Sequence, residues 1–87
     1  MFAVYVLRNP AGQLYIGQTA ELARRLAQHQ QGEARWTRAR GPWELVYLET
    51  HASRSEAMRR ERELKSGRGR QWLREHLSGR AGPPQAD

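Results

Sequence analysis

The segment from Phe2 to Gly17, FAVYVLRNPAGQLYIG, constrains the fold of this chain more than any other. Phe2 to Arg8 is rich in Val, Tyr and Phe and reads as a strand. Asn9-Pro10-Ala11-Gly12 is turn chemistry, because proline presets one dihedral and glycine permits a positive one. Leu14 to Gly17 is the return strand. A loop from Asn9 to Gln13 pairs Arg8 with Leu14, Leu7 with Tyr15 and Tyr5 with Gly17. Side chains alternate along a strand with period two, so Tyr5 and Tyr15 fall on one face as diagonal neighbours. Tyrosine packs well in sheets, and packing alone accounts for two tyrosines in a hairpin.

The rest of the chain divides into short elements. Thr19 is a suitable helix N-cap with Glu21 in the first turn, which predicts a helix over 20–30 closed by Gly32. Leu22, Ala23, Leu26 and Ala27 form its apolar stripe, and Arg25 and His29, four apart, share the flank beside it. Residues 32–42, GEARWTRARGP, form a loop in which Arg35, Arg38 and Arg40 surround Trp36. Trp43 to Thr50 is a third strand. Ser53-Arg54-Ser55-Glu56 fits a capping box and opens a second helix that ends near Ser66, broken by Gly67 and Gly69. A third helix spans 70–77 with Trp72, Leu73 and Leu77 inward. Residues 1–77 make one domain, and 78–87 (SGRAGPPQAD) read as a disordered tail.

Composition enters through charge and cysteine. Of the 15 cationic side chains all but Lys65 are arginine, set against nine carboxylates, for a net charge of +6. Arginine's planar fork suits phosphate oxygens, and so basic a domain carries the footprint of nucleic-acid binding. With no cysteine, neither disulfides nor a thiolate metal site can staple the fold. No run approaches the roughly 20 apolar residues of a membrane span. These features point to a soluble, intracellular, cytoplasmic protein.

One residue breaks the helical pattern. Ala57, Met58 and Leu64 mark the buried side of the second helix, and Glu61 lies on that same face. A carboxylate there is costly without a partner. It either pairs with an arginine at the edge of the stripe or serves as a metal ligand or acid–base group. Arg54, Arg59, Arg60, Arg62 and Glu63 read as solvated surface. Trp36 either stacks on an unpaired base or packs beneath its loop; Trp43 and Trp72 read as core. His51 and His76 read as ordinary surface or half-buried residues, and Gly12 and Gly17 as backbone necessities.

The ordered set Tyr5, Tyr15-Ile16-Gly17, Arg25-x-x-x-His29 and Glu56-Ala57-x-x-x-Glu61-x-x-x-Lys65 resembles the GIY-YIG nuclease superfamily, most closely its small single-domain branch. Ala3-Val4-Tyr5 stands for the first half of the signature, with alanine in place of its glycine. Several members carry an asparagine after the glutamate, whereas the only asparagine here is Asn9. The resemblance implies an α+β fold, a three-stranded antiparallel sheet flanked by helices. It also implies metal-dependent hydrolysis of DNA phosphodiesters, structure-selective or non-specific, in DNA repair or processing. Carried over by position, Glu61 holds Mg²⁺ (or Mn²⁺) and Arg25 clamps the phosphate. Tyr5 activates water once a nearby cation lowers its pKa, while Tyr15 and His29 orient water and phosphate or relay the proton. Arg35, Trp36, Arg38, Arg40 and Lys65 are the expected DNA contacts. The alternatives are a non-catalytic nucleic-acid-binding module that keeps the fold and, third, a protein–protein adaptor whose arginines only confer solubility.

Overall fold

The computed structural model describes residues 1–31 and 40–81, with side chains to residue 77. β1 (Phe2–Arg8) and β2 (Leu14–Thr19) are followed by α1 (Leu22–Gln30), β3 (Glu44–His51), α2 (Arg54–Lys65) and α3 (Gly67–Ala81). The sheet is antiparallel in the order β2-β1-β3. No helix among the described residues is long and apolar enough to cross a membrane.

The hairpin has the register expected from its turn: Arg8 faces Leu14, Leu7 faces Tyr15 and Tyr5 faces Gly17. Asn9 sets that turn. Its carboxamide oxygen accepts the Gln13 N–H at 2.8 Å, and its Nδ2 donates to Gln13 Oε1 at 2.7 Å and to the Arg40 carbonyl at 3.0 Å. Gly12 sits at φ +84°, which a residue with a Cβ adopts only with strain. The chain's single asparagine is thus a buried structural residue.

β1 is central and buried on both faces, so it reads as a continuous apolar run rather than an alternating one. On one face Val4 and Val6 join Ile16 of β2, Ala57 and Leu64 of α2 and Leu73 of α3 in the main core. Fully burying each of the larger aliphatic side chains stabilises by about 1.5–3 kcal/mol. On the other face Tyr5 and Leu7 pack with Trp43, Tyr15, Leu22 and Leu26. The sheet therefore lies between the α2–α3 pair and α1.

Several expectations need correction. Thr19 does not cap α1, because it is still paired in β2 opposite Ala3. Its hydroxyl instead accepts the Glu21 N–H at 3.0 Å and turns the chain out of the sheet; Glu21 occupies the cap position without a side-chain cap bond. The inward stripe of α1 is Leu22, Arg25, Leu26 and His29, while Ala23 and Ala27 are exposed. Met58 and Trp72 are exposed at 46% and 40%, so neither belongs to the core. α3 begins at Gly67 rather than at residue 70. The Ser66 hydroxyl closes α2 by donating to the Glu63 carbonyl at 2.6 Å and opens α3 by accepting the Gly69 N–H at 3.1 Å. A Cβ at Gly69 would lie 2.0 Å from the Glu63 carbonyl oxygen, so glycine lets the two helices close on each other instead of breaking them. α3 also runs to Ala81, past the boundary expected at residue 77.

The α2 N-terminus forms as expected, with the Ser53 hydroxyl accepting the Glu56 N–H at 3.2 Å. Arg60 is not solvated surface. Its Nε donates to Glu49 Oε1 at 2.6 Å, and the Tyr47 hydroxyl donates to Glu49 Oε2 at 2.8 Å. Burial acts to raise the Glu49 pKa, but hydrogen bonds from Tyr47, Arg60 and His51 outweigh it and hold the carboxyl below its usual value. This network ties β3 to α2. Trp72 lies over it, with the Arg60 guanidinium 5.2 Å from the ring and His76 stacked on it at 4.9 Å.

Candidate active site

Four of the residues singled out in the sequence converge on the α1 face of the sheet. β1 presents Tyr5, β2 presents Tyr15, and successive turns of α1 present Arg25 and His29. Period two along the hairpin places both tyrosines on this face, and the four-residue step places Arg25 and His29 one above the other on the helix. The tyrosine ring centroids are 6.2 Å apart. His29 lies against both rings, edge-on to Tyr15 at 4.6 Å and to Tyr5 at 5.8 Å. The Tyr5 hydroxyl is 3.0 Å from His29 Nε2.

Gly17 makes this arrangement possible. A Cβ there would lie 2.6 Å from the Tyr5 hydroxyl, 2.8 Å from Tyr5 Cζ and 3.2 Å from Tyr15 Cε1. The Tyr5 ring crosses the strand partner directly opposite it, and only a residue without a side chain leaves room. The backbone reading of Gly17 is therefore incomplete. Its role is set by cross-strand packing, and the signal for it is the register that pairs Tyr5 with Gly17.

The electrostatics follow from burial. Tyr5 is 1% exposed and His29 2% exposed. Burial is the largest influence on Tyr5; hydrogen bonding to Arg25 opposes it, and the pKa stands pushed up to about 12. Arg25 pulls in the direction expected of a nearby cation, but burial outweighs it. Burial also lowers the His29 pKa, with the charge of Arg25 adding to it, so the imidazole is neutral at pH 7. For Arg25, burial works to lower the pKa, and hydrogen bonds to Tyr5 and Tyr15 outweigh it and raise it. Arg25 Nη1 also donates to Gln28 Oε1 at 2.9 Å.

Glu61 approaches from α2. Its side chain is 22% exposed and pairs with Lys65 at 2.7 Å, so its partner is the lysine one turn on rather than an arginine. Its charge reaches Tyr5, where it acts to raise the pKa. No group of three or more His, Asp or Glu side chains that could hold a metal ion occurs among the described residues. Mg²⁺ commonly takes one or two carboxylates and completes its shell with water and phosphate. Glu61 fits that mode and does not fit a cage built from protein alone. Among the expected DNA contacts, Arg40 is exposed and Lys65 is engaged with Glu61. Arg35, Trp36 and Arg38 lie outside the described residues. Gln18 and Arg24, not singled out in the sequence, and Arg54, which reads there as solvated surface, line a cleft that Arg25 shares.

The pattern for the GIY-YIG catalytic domain matches residues 1–74. A UPF0213 protein of Natronomonas pharaonis is 50% identical over 64 residues, covering 72% of this chain and 75% of that protein. One from Staphylococcus epidermidis is 41% identical over 64 residues, covering 72% and 78%. The solution NMR structure of a UPF0213 protein from Bacillus halodurans superposes with a TM-score of 0.56 at 39% identity, covering 97% of this chain and 90% of that one. An α+β fold with a three-stranded antiparallel sheet, the Tyr-Ile-Gly hairpin and a match over most of its length place the chain in the GIY-YIG family of nuclease-type catalytic domains.

Proposed function

We propose that the protein is a divalent-metal-dependent endonuclease that hydrolyses phosphodiester bonds in DNA, either non-specifically or by structure. The observation that carries this reading is the buried Tyr5–His29 hydrogen bond with Arg25 drawn onto both tyrosine hydroxyls. The two phenols hold the partly exposed Arg25 guanidinium in its charged form. Its planar fork suits the oxygens of a phosphate, whose charge grows in the transition state.

Arg25 holds the scissile phosphate. The Tyr5 hydroxyl, protonated at neutral pH, donates to neutral His29 and leaves an oxygen lone pair for the attacking water. As water bonds to phosphorus, its proton passes to Tyr5 and the Tyr5 proton to His29 Nε2, so no phenolate is needed beforehand. Tyr15 bounds the same space and steers the water. Glu61 is the residue that would hold a divalent cation, which when bound would supply charge neutralisation at the phosphate and the leaving oxygen. Glu61 would then have to give up Lys65, whose side chain is 49% exposed and free to turn to solvent.

A second reading has specific support. Tyr5 is nearly inaccessible and Glu61 is already paired, as suits a DNA-binding module that has kept the fold without the chemistry. One experiment separates the two: cleavage of plasmid, nicked, branched and single-stranded DNA in Mg²⁺, Mn²⁺ or EDTA, with Arg25→Ala alongside. The nuclease reading expects cleavage in metal, none in EDTA, and roughly 10²–10³-fold slower turnover in the variant. Binding without cleavage of any substrate establishes the second reading.

A further inference from the structure

A cleft of about 360 Å³ opens beside Arg25; neither Tyr5 nor His29 lines it, and the proposed mechanism leaves it unused. Among its walls are Gln18 at the end of β2, Glu21, Arg24 and Arg25 of the α1 entry, and Arg54 at the start of α2. Three guanidinium groups thus face one carboxylate. That carboxylate is already committed: Glu21 pairs with Arg24 at 3.2 Å, with both side chains more than half exposed. Such a pair is weak and readily exchanged for a better anion. Arg54 is braced in place, its guanidinium 4.8 Å from the centre of the Phe2 ring. The cleft therefore presents surplus positive charge on side chains from two separate elements.

A second observation points to a ligand and refines its chemistry. Gln18 Oε1 is buried and has no hydrogen-bond donor among the described residues. Leaving a buried acceptor unmet is costly, and such atoms are rare in native proteins. A phosphodiester would satisfy the arginines but offers no donor to this oxygen. An occupant that satisfies both carries a phosphate and an N–H, as a nucleotide does through its base. Arg25 is common to the cleft and to the tyrosine pair, so the occupant adjoins whatever phosphate Arg25 holds.

We propose that the cleft is a binding subsite for the nucleotide next to the scissile phosphate, with Arg24 and Arg54 on its phosphate and the Gln18 carbonyl accepting from an N–H of its base. This inference rests on the nuclease reading for its place in the reaction, but the occupancy of the cleft can be tested without catalysis. Binding of a fluorescent single-stranded oligonucleotide in EDTA, followed by anisotropy across a salt series, is the first measurement. Arg24→Ala and Arg54→Ala should each weaken binding roughly tenfold and each reduce the salt slope by about one. Arg74→Ala, the same charge change on α3, should do neither. Gln18→Met keeps the length of the side chain and removes the unmet acceptor, so it should melt at the wild-type temperature or above while binding DNA several-fold more weakly. In Mg²⁺, Arg54→Ala should lose roughly tenfold in kcat/KM on the oligonucleotide and nothing on bis(p-nitrophenyl) phosphate, which has one phosphate and no neighbouring nucleotide. A wild-type protein that cleaves neither substrate removes the nuclease reading, while the binding series still decides the cleft. The subsite is overturned if Arg24→Ala or Arg54→Ala binds no more weakly than Arg74→Ala. It is equally overturned if Gln18→Met destabilises the fold and leaves DNA binding intact.

Discussion

Replacing Gly17 with alanine should disable the site by displacing a side chain that the mutation does not alter. The new Cβ would stand 2.6 Å from the Tyr5 hydroxyl and 2.8 Å from its Cζ, and ordinary van der Waals contact begins at 3.4 Å. The Tyr5 ring must therefore retreat by roughly 0.6–0.8 Å, beyond the roughly 0.5 Å within which catalytic groups must be held. It has no free space to enter, being 1% exposed and backed by Leu7, Trp43 and Tyr15. Overpacking of this kind costs about 1–3 kcal/mol, and each kcal/mol lowers the melting temperature of a domain this size by about 4–8 °C.

Loss of stability alone would not prove the point, so the control is Gly12→Ala. A Cβ at Gly12 would meet no atom within 4 Å, and its penalty comes from φ +84°. A non-glycine residue in that left-handed region costs about 1–2 kcal/mol, a similar destabilisation reached without touching the site. Melting curves should show both variants weakened. Single-turnover DNA cleavage should fall at least about a hundredfold for Gly17→Ala, as when a preorganised catalytic group is lost, and stay near wild type for Gly12→Ala. The His29 titration followed by NMR gives a readout independent of cleavage, since only Gly17→Ala disturbs the 3.0 Å Tyr5–His29 bond. Wild-type cleavage and an unmoved His29 titration in Gly17→Ala would refute the argument.

Glu61→Gln removes a single i,i+4 ion pair with the exposed Lys65, worth about 0.2–1 kcal/mol, so its melting temperature should change by only a few degrees. Metal-dependent cleavage should be lost; a large drop in stability with cleavage retained would make Glu61 a structural residue. The pH dependence is signed by His29. Its folded pKa lies below the 6.5 of the unfolded chain, so the unfolded state binds the proton first. Stability is therefore fully present above pH 6.5 and declines as the pH falls from there through the folded pKa; thermal melts from about pH 5 to 8 check this. With Tyr5 at about 12, cleavage should likewise be flat from about pH 7 to 9 and fall on the acid side; a roughly tenfold rise per unit over that range would show the phenolate to be the base.

What can be read from the sequence follows a physical line. The hairpin register is legible because the turn at Asn9–Gly12 fixes the loop length and period two then assigns every side chain to a face. The capping of α2 is legible because Ser53 and Glu56 are local. The inward face of α1 is not. Hydropathy selects Ala23 and Ala27, yet Arg25 and His29 turn inward because Tyr5 and Tyr15 offer them hydrogen bonds. A binary pattern fails where function overrides it. The same holds for Arg60, which reads as surface because its partner Glu49 lies on a strand eleven residues earlier. Trp72, Leu73 and Leu77 all read as inward, but Trp72 and Leu73 are about 100° apart on a helix; Leu73 and Leu77 are buried, and Trp72 lies instead over Arg60 and against His76.

The composition of α1 links stability to function more tightly than the resemblance alone suggests. Its only fully buried residue is His29, and its apolar anchors, Leu22 and Leu26, are half-buried. A helix of nine residues is too short to persist on propensity, so tertiary contacts must hold it. Those contacts are largely polar: His29 to Tyr5, Arg25 to both tyrosines, and Gln30, whose Nε2 donates to the Trp43 carbonyl. The groups proposed to handle phosphate and proton are thus the same groups that fasten the helix to the sheet. Truncating Arg25 or His29 removes a tether along with a candidate catalytic group, and removing one partner of a buried hydrogen bond costs about 1–3 kcal/mol. Rate losses at these positions therefore separate chemistry from folding only when the conservative change, Tyr5→Phe or Arg25→Lys, is measured beside the melting curve of the same protein.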